Sequence, residues 1–180
     1  ALSYFYMAVY NHELLLEGFK RPRKKKLKPV VLTVSEVRQI AVSAENLKHR
    51  LMIELAYTAG LRVSELVAVK VQHMNLNKLM LFVPGLGKLS ARTTIFSGGL
   101  KDALQRQVGN KKPGDYLFPS ERGGSLTTRS VTKFFKAALT TSGVEKQVTP
   151  HSLRQSFTAF MLAKGTDRFA VQTLLGRRAL

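Results

Sequence analysis

Ten residues near the start of this chain, Lys20-Arg21-Pro22-Arg23-Lys24-Lys25-Lys26-Leu27-Lys28-Pro29, hold seven basic side chains and two prolines. Proline lacks an amide donor and clashes with the turn before it, and like charges at helical spacing repel. Such a run cannot pack as a helix. It reads as an extended charged linker, which divides the chain into residues 1–19, the linker 20–29 and a main unit 30–180. Two uses fit the linker: contact with a phosphate backbone as the chain wraps DNA, or service as a solvated hinge or localisation signal.

The basic excess is not confined to that run. Lysine and arginine total 29 against 11 acidic residues, a formal net charge of +18 in 180 residues. That imbalance calls for a polyanionic partner, nucleic acid first and an anionic membrane second. A spanning helix needs about 20 apolar residues in a row, and no run here approaches that. The opening stretch, 1–16, carries His12 and Glu13 and lacks a basic leader, so it does not read as a secretory signal. The absence of cysteine excludes disulfides and thiolate metal sites, and fits a cytoplasmic protein. Both ends read as cut from something longer: the chain opens on Ala1 inside a helical pattern and closes just after Gly176.

Patterning beyond the linker is mostly helical. Thr33-Val34-Ser35-Glu36 has capping-box spacing and predicts a helix over 34–43. A second helix is expected over 46–59, with Leu47, Leu51, Leu55 and Thr58 along its buried stripe and Gly60 as a left-handed stop. A short helix over 64–70 follows. Residues 79–83 and 92–96 read as a β-hairpin with a glycine-rich tip. Further helices are expected over 99–108 and 128–141, the latter burying Val131, Phe134, Phe135 and Ala138. Thr149 as N-cap and Pro150 at the first helical position open another helix, which Gly165 ends. Thr166 or Asp167 caps the last one. The expected fold is mainly α with a small antiparallel β-sheet, α+β in class.

Three side chains stand out as chemistry on an anion. His151 and Arg154 are three apart in a helix's first turn, where free amides and the helix dipole favour negative charge. That leaves two alternatives: convergence on one anion, or His151 packed against the helix start with Arg154 paired to a surface carboxylate. Arg62 lies between Leu61 and Val63, both expected in the core, so its charge must be met. Glu65, one turn on, can meet it, which leaves a local ion pair and a phosphate clamp as alternatives. Arginine presents a planar fork suited to two phosphate oxygens, and histidine passes protons near neutral pH. Other chemistries fail on spacing. Gly85-Leu86-Gly87-Lys88-Leu89-Ser90 lacks the Gly-Lys-Ser/Thr of a P-loop, four scattered histidines form no metal pattern, and no Gly-x-Ser-x-Gly occurs.

Several segments, in order and spacing, resemble the tyrosine recombinases (phage integrases), closest to the Xer and archaeal branch. They are Gly60-Leu61-Arg62-Val63-Ser64-Glu65-Leu66, Tyr116-Leu117-Phe118-Pro119-Ser120, Leu126-Thr127-Thr128-Arg129-Ser130-Val131 and Thr149-Pro150-His151-Ser152-Leu153-Arg154. Gly165-Thr166-Asp167 and Gln172-Thr173-Leu174-Leu175-Gly176 extend the resemblance across the chain from Lys20 on. It implies the tyrosine recombinase catalytic-domain fold over 30–180, with 1–19 as the last helix of an amino-terminal core-binding domain.

The implied activity is site-specific strand exchange on double-stranded DNA by a tetramer, through a 3′-phosphotyrosyl link, with neither metal nor other cofactor. By the same resemblance Arg62 and Arg154 clamp the non-bridging oxygens, His151 exchanges a proton with the tyrosine, and Glu65 holds the first arginine. Lys20, Arg21, Arg23, Lys24, Lys25, Lys26, Lys28 and Arg129 are the expected DNA contacts, which places the protein at the nucleoid. Four departures stand against the family pattern, the one at Gln155 the least of them. The hairpin lysine, general acid for the leaving 5′-oxygen, is Leu86 here, with Lys88 two residues on as a substitute from the same side of the strand. The second histidine or tryptophan is Arg177, which donates to phosphate but is no neutral base, and Gln155 replaces a frequent histidine. The nucleophile belongs about nine positions beyond Arg177, and none of the five tyrosines sits in its context. This polypeptide alone is therefore not expected to form the covalent link. The alternative is an inactive DNA-binding remnant or a modulator of an intact recombinase. A basic RNA-binding or structural protein would explain the charge but leave the ordered motifs unexplained.

Overall fold

A computed structural model describes residues 7–11, 30–85 and 91–176. The first helix, α1 (Val34–Val42), starts where Thr33 and Glu36 cap each other reciprocally. The Thr33 hydroxyl accepts the Glu36 amide at 3.2 Å, and a Glu36 carboxylate oxygen accepts the Thr33 amide at 2.7 Å. Helix α2 (Leu47–Thr58) starts on Asn46, whose side chain accepts the Lys48 amide. Six of its twelve residues are buried, among them Leu51, Met52, Ile53 and Leu55. They do not form a single stripe, because α2 is the central helix and touches neighbours on several sides. Leu47 corrects the expected stripe. It is 80% exposed, since it is the first residue of the helix and projects past the packed turns.

Gly60 stops α2 at φ +59°, a conformation that costs glycine little, and the chain turns into α3 (Val63–Ala68). A 3₁₀ turn, Val71–His73, leads to a three-stranded antiparallel sheet: β1 (Met74–Asn75), β2 (Met80–Val83) and β3 (Arg92–Ile95), in that spatial order. The expected hairpin is β2–β3, paired Met80 to Ile95 and Val83 to Arg92. Strand β1 was not expected, being too short to carry an alternating pattern. Side chains alternate across the sheet, so Leu81, Val83, Arg92 and Thr94 face inward.

A 3₁₀ turn, Gly98–Leu100, then runs into α4 (Lys101–Val108), and α5 (Thr128–Ser142) follows a loop that bridges back to Lys70 through Tyr116. Helix α6 (Pro150–Ala163) follows Thr149 at its N-cap with Pro150 at the first position, and Gly165 turns the chain at φ +80°. Asp167, rather than Thr166, caps α7 (Arg168–Leu175) by accepting the Ala170 amide. Helix α2 packs on α1, α5 and α6, while α7 lies against β3 and α6. The termini of α3, α6 and α7 thus converge beside the inner face of the sheet. Residues 7–10 are helical, and the remainder of 1–19 and the linker 20–29 lie outside the described residues.

Candidate functional site

At that convergence one carboxylate meets three guanidinium groups. Glu65 occupies the first turn of α3, and its Oε2 accepts the Arg62 amide at 2.7 Å, as an N3 glutamate reaches back to cap a helix. Arg62 Nη1 donates to Oε1 at 2.9 Å. From β3, Arg92 closes a two-pronged pair, Nη1 to Oε1 at 2.7 Å and Nη2 to Oε2 at 2.8 Å. From α6, Arg154 places Nη1 at 3.5 Å from Oε2.

Backbone oxygens take much of the remaining guanidinium hydrogen bonding. Arg154 donates from Nη1 to the Gly60 carbonyl at 2.7 Å and from Nη2 to the Leu175 carbonyl at 2.6 Å. Arg92 Nε donates to the Leu174 carbonyl at 2.8 Å. These last two carbonyls end α7, where a helix leaves acceptors unused and carries partial negative charge. Gly176, left-handed at φ +60°, completes that cap. The enclosed charges therefore have partners, which lets arginines sit where an isolated cation would be costly.

Exposure separates the members. Side-chain exposure is 26% for Arg62, 5% for Arg92, 1% for Glu65 and 0% for Arg154. Burial pushes the Glu65 carboxyl up. The hydrogen bonds from Arg92 and the Arg62 amide, with the charges of Arg92 and Arg154, outweigh it and bring the group down to about 2. Glu65 is thus ionised at any ordinary pH. Three guanidinium groups around one carboxylate leave the cluster positive, open to solvent through Arg62.

The fold brings Arg62, Glu65 and Arg154 together from segments 89 residues apart. His151 lies exposed in the first turn of α6, on the turn preceding Arg154. Arg129 is exposed in the first turn of α5. Lys88, Arg177 and the linker residues Lys20, Arg21, Arg23, Lys24, Lys25, Lys26 and Lys28 lie outside the described residues. Among the described residues no group of histidine, cysteine or acidic side chains could hold a metal, and no helix is long and apolar enough to cross a membrane. Sequence reasoning missed Arg92. Its signal was parity: it shares the inward side of its strand with Thr94.

The chain is similar to known proteins both in sequence and in fold. The phage integrase family matches residues 30–179. Tyrosine recombinase XerC of Syntrophus aciditrophicus is 32% identical, over 92% of this chain and 58% of its own length. Tyrosine recombinase XerA of Pyrococcus horikoshii is 35% identical over 99% of this chain and 62% of its own. The chain thus spans about three fifths of these relatives. Among solved structures, XerA recombinase superposes with a TM-score of 0.75 at 26% identity, covering 85% of this chain and 58% of its own. A lambda integrase dimer bound to a COC' core site gives 0.71 at 24% identity, covering 89% and 48%. The matched span takes in every helix and strand from α1 to α7, and on that ground the chain belongs to the phage integrase family, the tyrosine recombinases.

Proposed function

We propose that this chain supplies the phosphate-binding part of a site-specific DNA recombinase, which cuts and rejoins double-stranded DNA through a 3′-phosphotyrosyl intermediate. The observation that carries this is the Arg62–Glu65–Arg154 cluster, positive and opening to solvent at Arg62. In the cleavage step a tyrosine oxygen bonds to the scissile phosphorus, the bond to the 5′-oxygen breaks, and that oxygen leaves with a proton. Negative charge rises on the non-bridging oxygens, and pre-placed cations lower the barrier without having to reorganise. Arg62 is the partly open donor that meets those oxygens. Arg154 stands enclosed behind it, where the low dielectric makes its charge felt more strongly than in water.

His151, exposed at the amino end of α6, is the group for proton exchange with the tyrosine. Lys88, two residues past the family's lysine position, is assigned to the leaving oxygen, and Arg177, in place of the family's second histidine or tryptophan, to the phosphate. The basic linker and Arg129 hold the DNA backbone, and four copies on two duplexes carry out the exchange in the cytoplasm. The region 1–19 is assigned to the end of a core-binding domain, and 30–180 to the catalytic domain.

The test uses the intact protein on a nicked duplex, its sequence selected by binding from a random pool. Arg154→Ala should abolish covalent protein–DNA complexes while duplex binding persists, whereas Lys24→Ala should mainly weaken binding. Equal effects from the two would overturn the clamp. Binding without any covalent complex in the unsubstituted protein would leave a DNA-binding module in place of an enzyme.

A further inference from the structure

Arg92 lies in the same cluster as Arg62 yet cannot do the same work. At 5% exposure its guanidinium offers a phosphate almost nothing. Both terminal nitrogens face Glu65, and Nε faces the Leu174 carbonyl. A two-pronged pair fixes the plane of a carboxylate as well as its position. The Glu65 oxygens fixed in this way are the ones that hold the Arg62 side chain, the Arg62 amide and Arg154. Turning the carboxylate would loosen all three contacts together. The backbone also makes room for the Arg92 stem. A Cβ at Gly176 would stand 2.9 Å from Arg92 Cδ, so a side chain there would push the arginine aside.

We infer that Arg92 is a positioning residue: from the sheet it sets the orientation of Glu65, through which Arg62 is aimed at the DNA phosphate, and it fixes the end of α7 against the same site. This rests on the phosphate clamp proposed above. Arg92 acts through Glu65 and touches no reacting atom.

A double-substitution cycle tests it, reading affinity for a labelled duplex oligonucleotide by anisotropy at one fixed salt concentration. Melting curves first confirm that each variant is folded, and if Arg92→Met is not, Arg92→Lys takes its place in the cycle. Arg92→Met should weaken binding by about threefold to tenfold, because a positioning contact in one network couples strongly to its neighbours. Arg92→Lys should recover part of the loss, since an ammonium meets one carboxylate oxygen but cannot fork across two. The pair Arg62→Ala with Arg92→Met should bind no more weakly than Arg62→Ala alone. If the two losses add, or if Arg92→Met binds as tightly as the unsubstituted chain, the positioning role is wrong while the clamp survives. If Arg62→Ala itself changes nothing, the clamp fails and the positioning role falls with it.

Discussion

Arg154 donates from Nη1 to the backbone carbonyl of Gly60 at 2.7 Å, across 94 residues of chain. That single hydrogen bond joins the break between α2 and α3 to the heart of α6. It uses a carbonyl that the left-handed turn at Gly60 frees from helical bonding. The glycine therefore serves twice, once for its φ and once for the acceptor it presents.

Gly60→Ala should be badly tolerated. The new Cβ would lie 2.6 Å from Phe157 Cδ1 and 3.0 Å from Leu175 Cδ2, at a backbone φ of +59° that alanine disfavours. Left-handed strain and overpacking each cost about 1–3 kcal/mol. A loss of about 3 kcal/mol in chemical denaturation, at unchanged slope, is expected. A loss below about 0.5 kcal/mol, the usual range for an unconstrained site, would show that the turn is not packed as described.

Glu65→Gln should leave Arg92 and Arg154 enclosed without their counter-charge, a loss of about 3–5 kcal/mol. The pH dependence carries the signature. The Glu65 carboxyl lies at about 2 in the fold against an ordinary 4.5, so its stabilisation is complete above 4.5 and disappears as pH falls toward 2. That shift corresponds to roughly 3 kcal/mol. The gap between the original chain and Glu65→Gln should be constant from pH 7 to 5 and then narrow on acidification. A gap of constant size down to pH 2 would mean that the carboxylate is not held by its arginines.

Duplex binding should weaken steeply with salt, because each neutralised phosphate releases counterions and contributes about −0.9 to the slope of log K against log salt. Arg129 is exposed at the first turn of α5. Arg129→Ala should make that slope shallower by about one and weaken binding to all sequences alike. An unchanged slope, measured by titration at several salt concentrations, would remove Arg129 from the interface.

Helix boundaries were legible because their signals are local. Thr33 and Glu36, Gly60, Thr149 with Pro150, and Gly165 each fix a backbone conformation by themselves. The pairing of Arg62 with Glu65 was legible for the same reason, being one helical turn. Neither Leu47 nor Arg92 was. Whether a helix's first residue is covered depends on how far its neighbours extend, which sequence spacing does not encode. Arg92 reaches a carboxylate 27 residues earlier and a carbonyl 82 residues later. Inward parity in its strand, shared with Thr94 against Leu81 and Val83 opposite, marks it as buried but does not name its partner.

His49 gives a separate test, away from the arginine cluster. Its ring stacks on Phe134 with centroids 4.0 Å apart and planes 6° from parallel, joining α2 to α5. Burial, with the charge of Lys48 beside it, holds the imidazole below its ordinary 6.5, although Glu121 pulls the other way. The unfolded chain therefore takes up the proton first as pH falls below 6.5. The contribution to stability is complete above that pH and declines toward the lower value of the fold. His73, also lowered by burial and by Lys70, adds a decline of the same sign. His49→Phe keeps a ring on Phe134 but cannot titrate. Its stability, measured by denaturation from pH 8 to 5, should fall less steeply than that of the original chain, and replacing His73 as well should make the fall shallower still. Parallel curves for His49→Phe and the original chain would mean that the stacked imidazole protonates as freely in the fold as outside it.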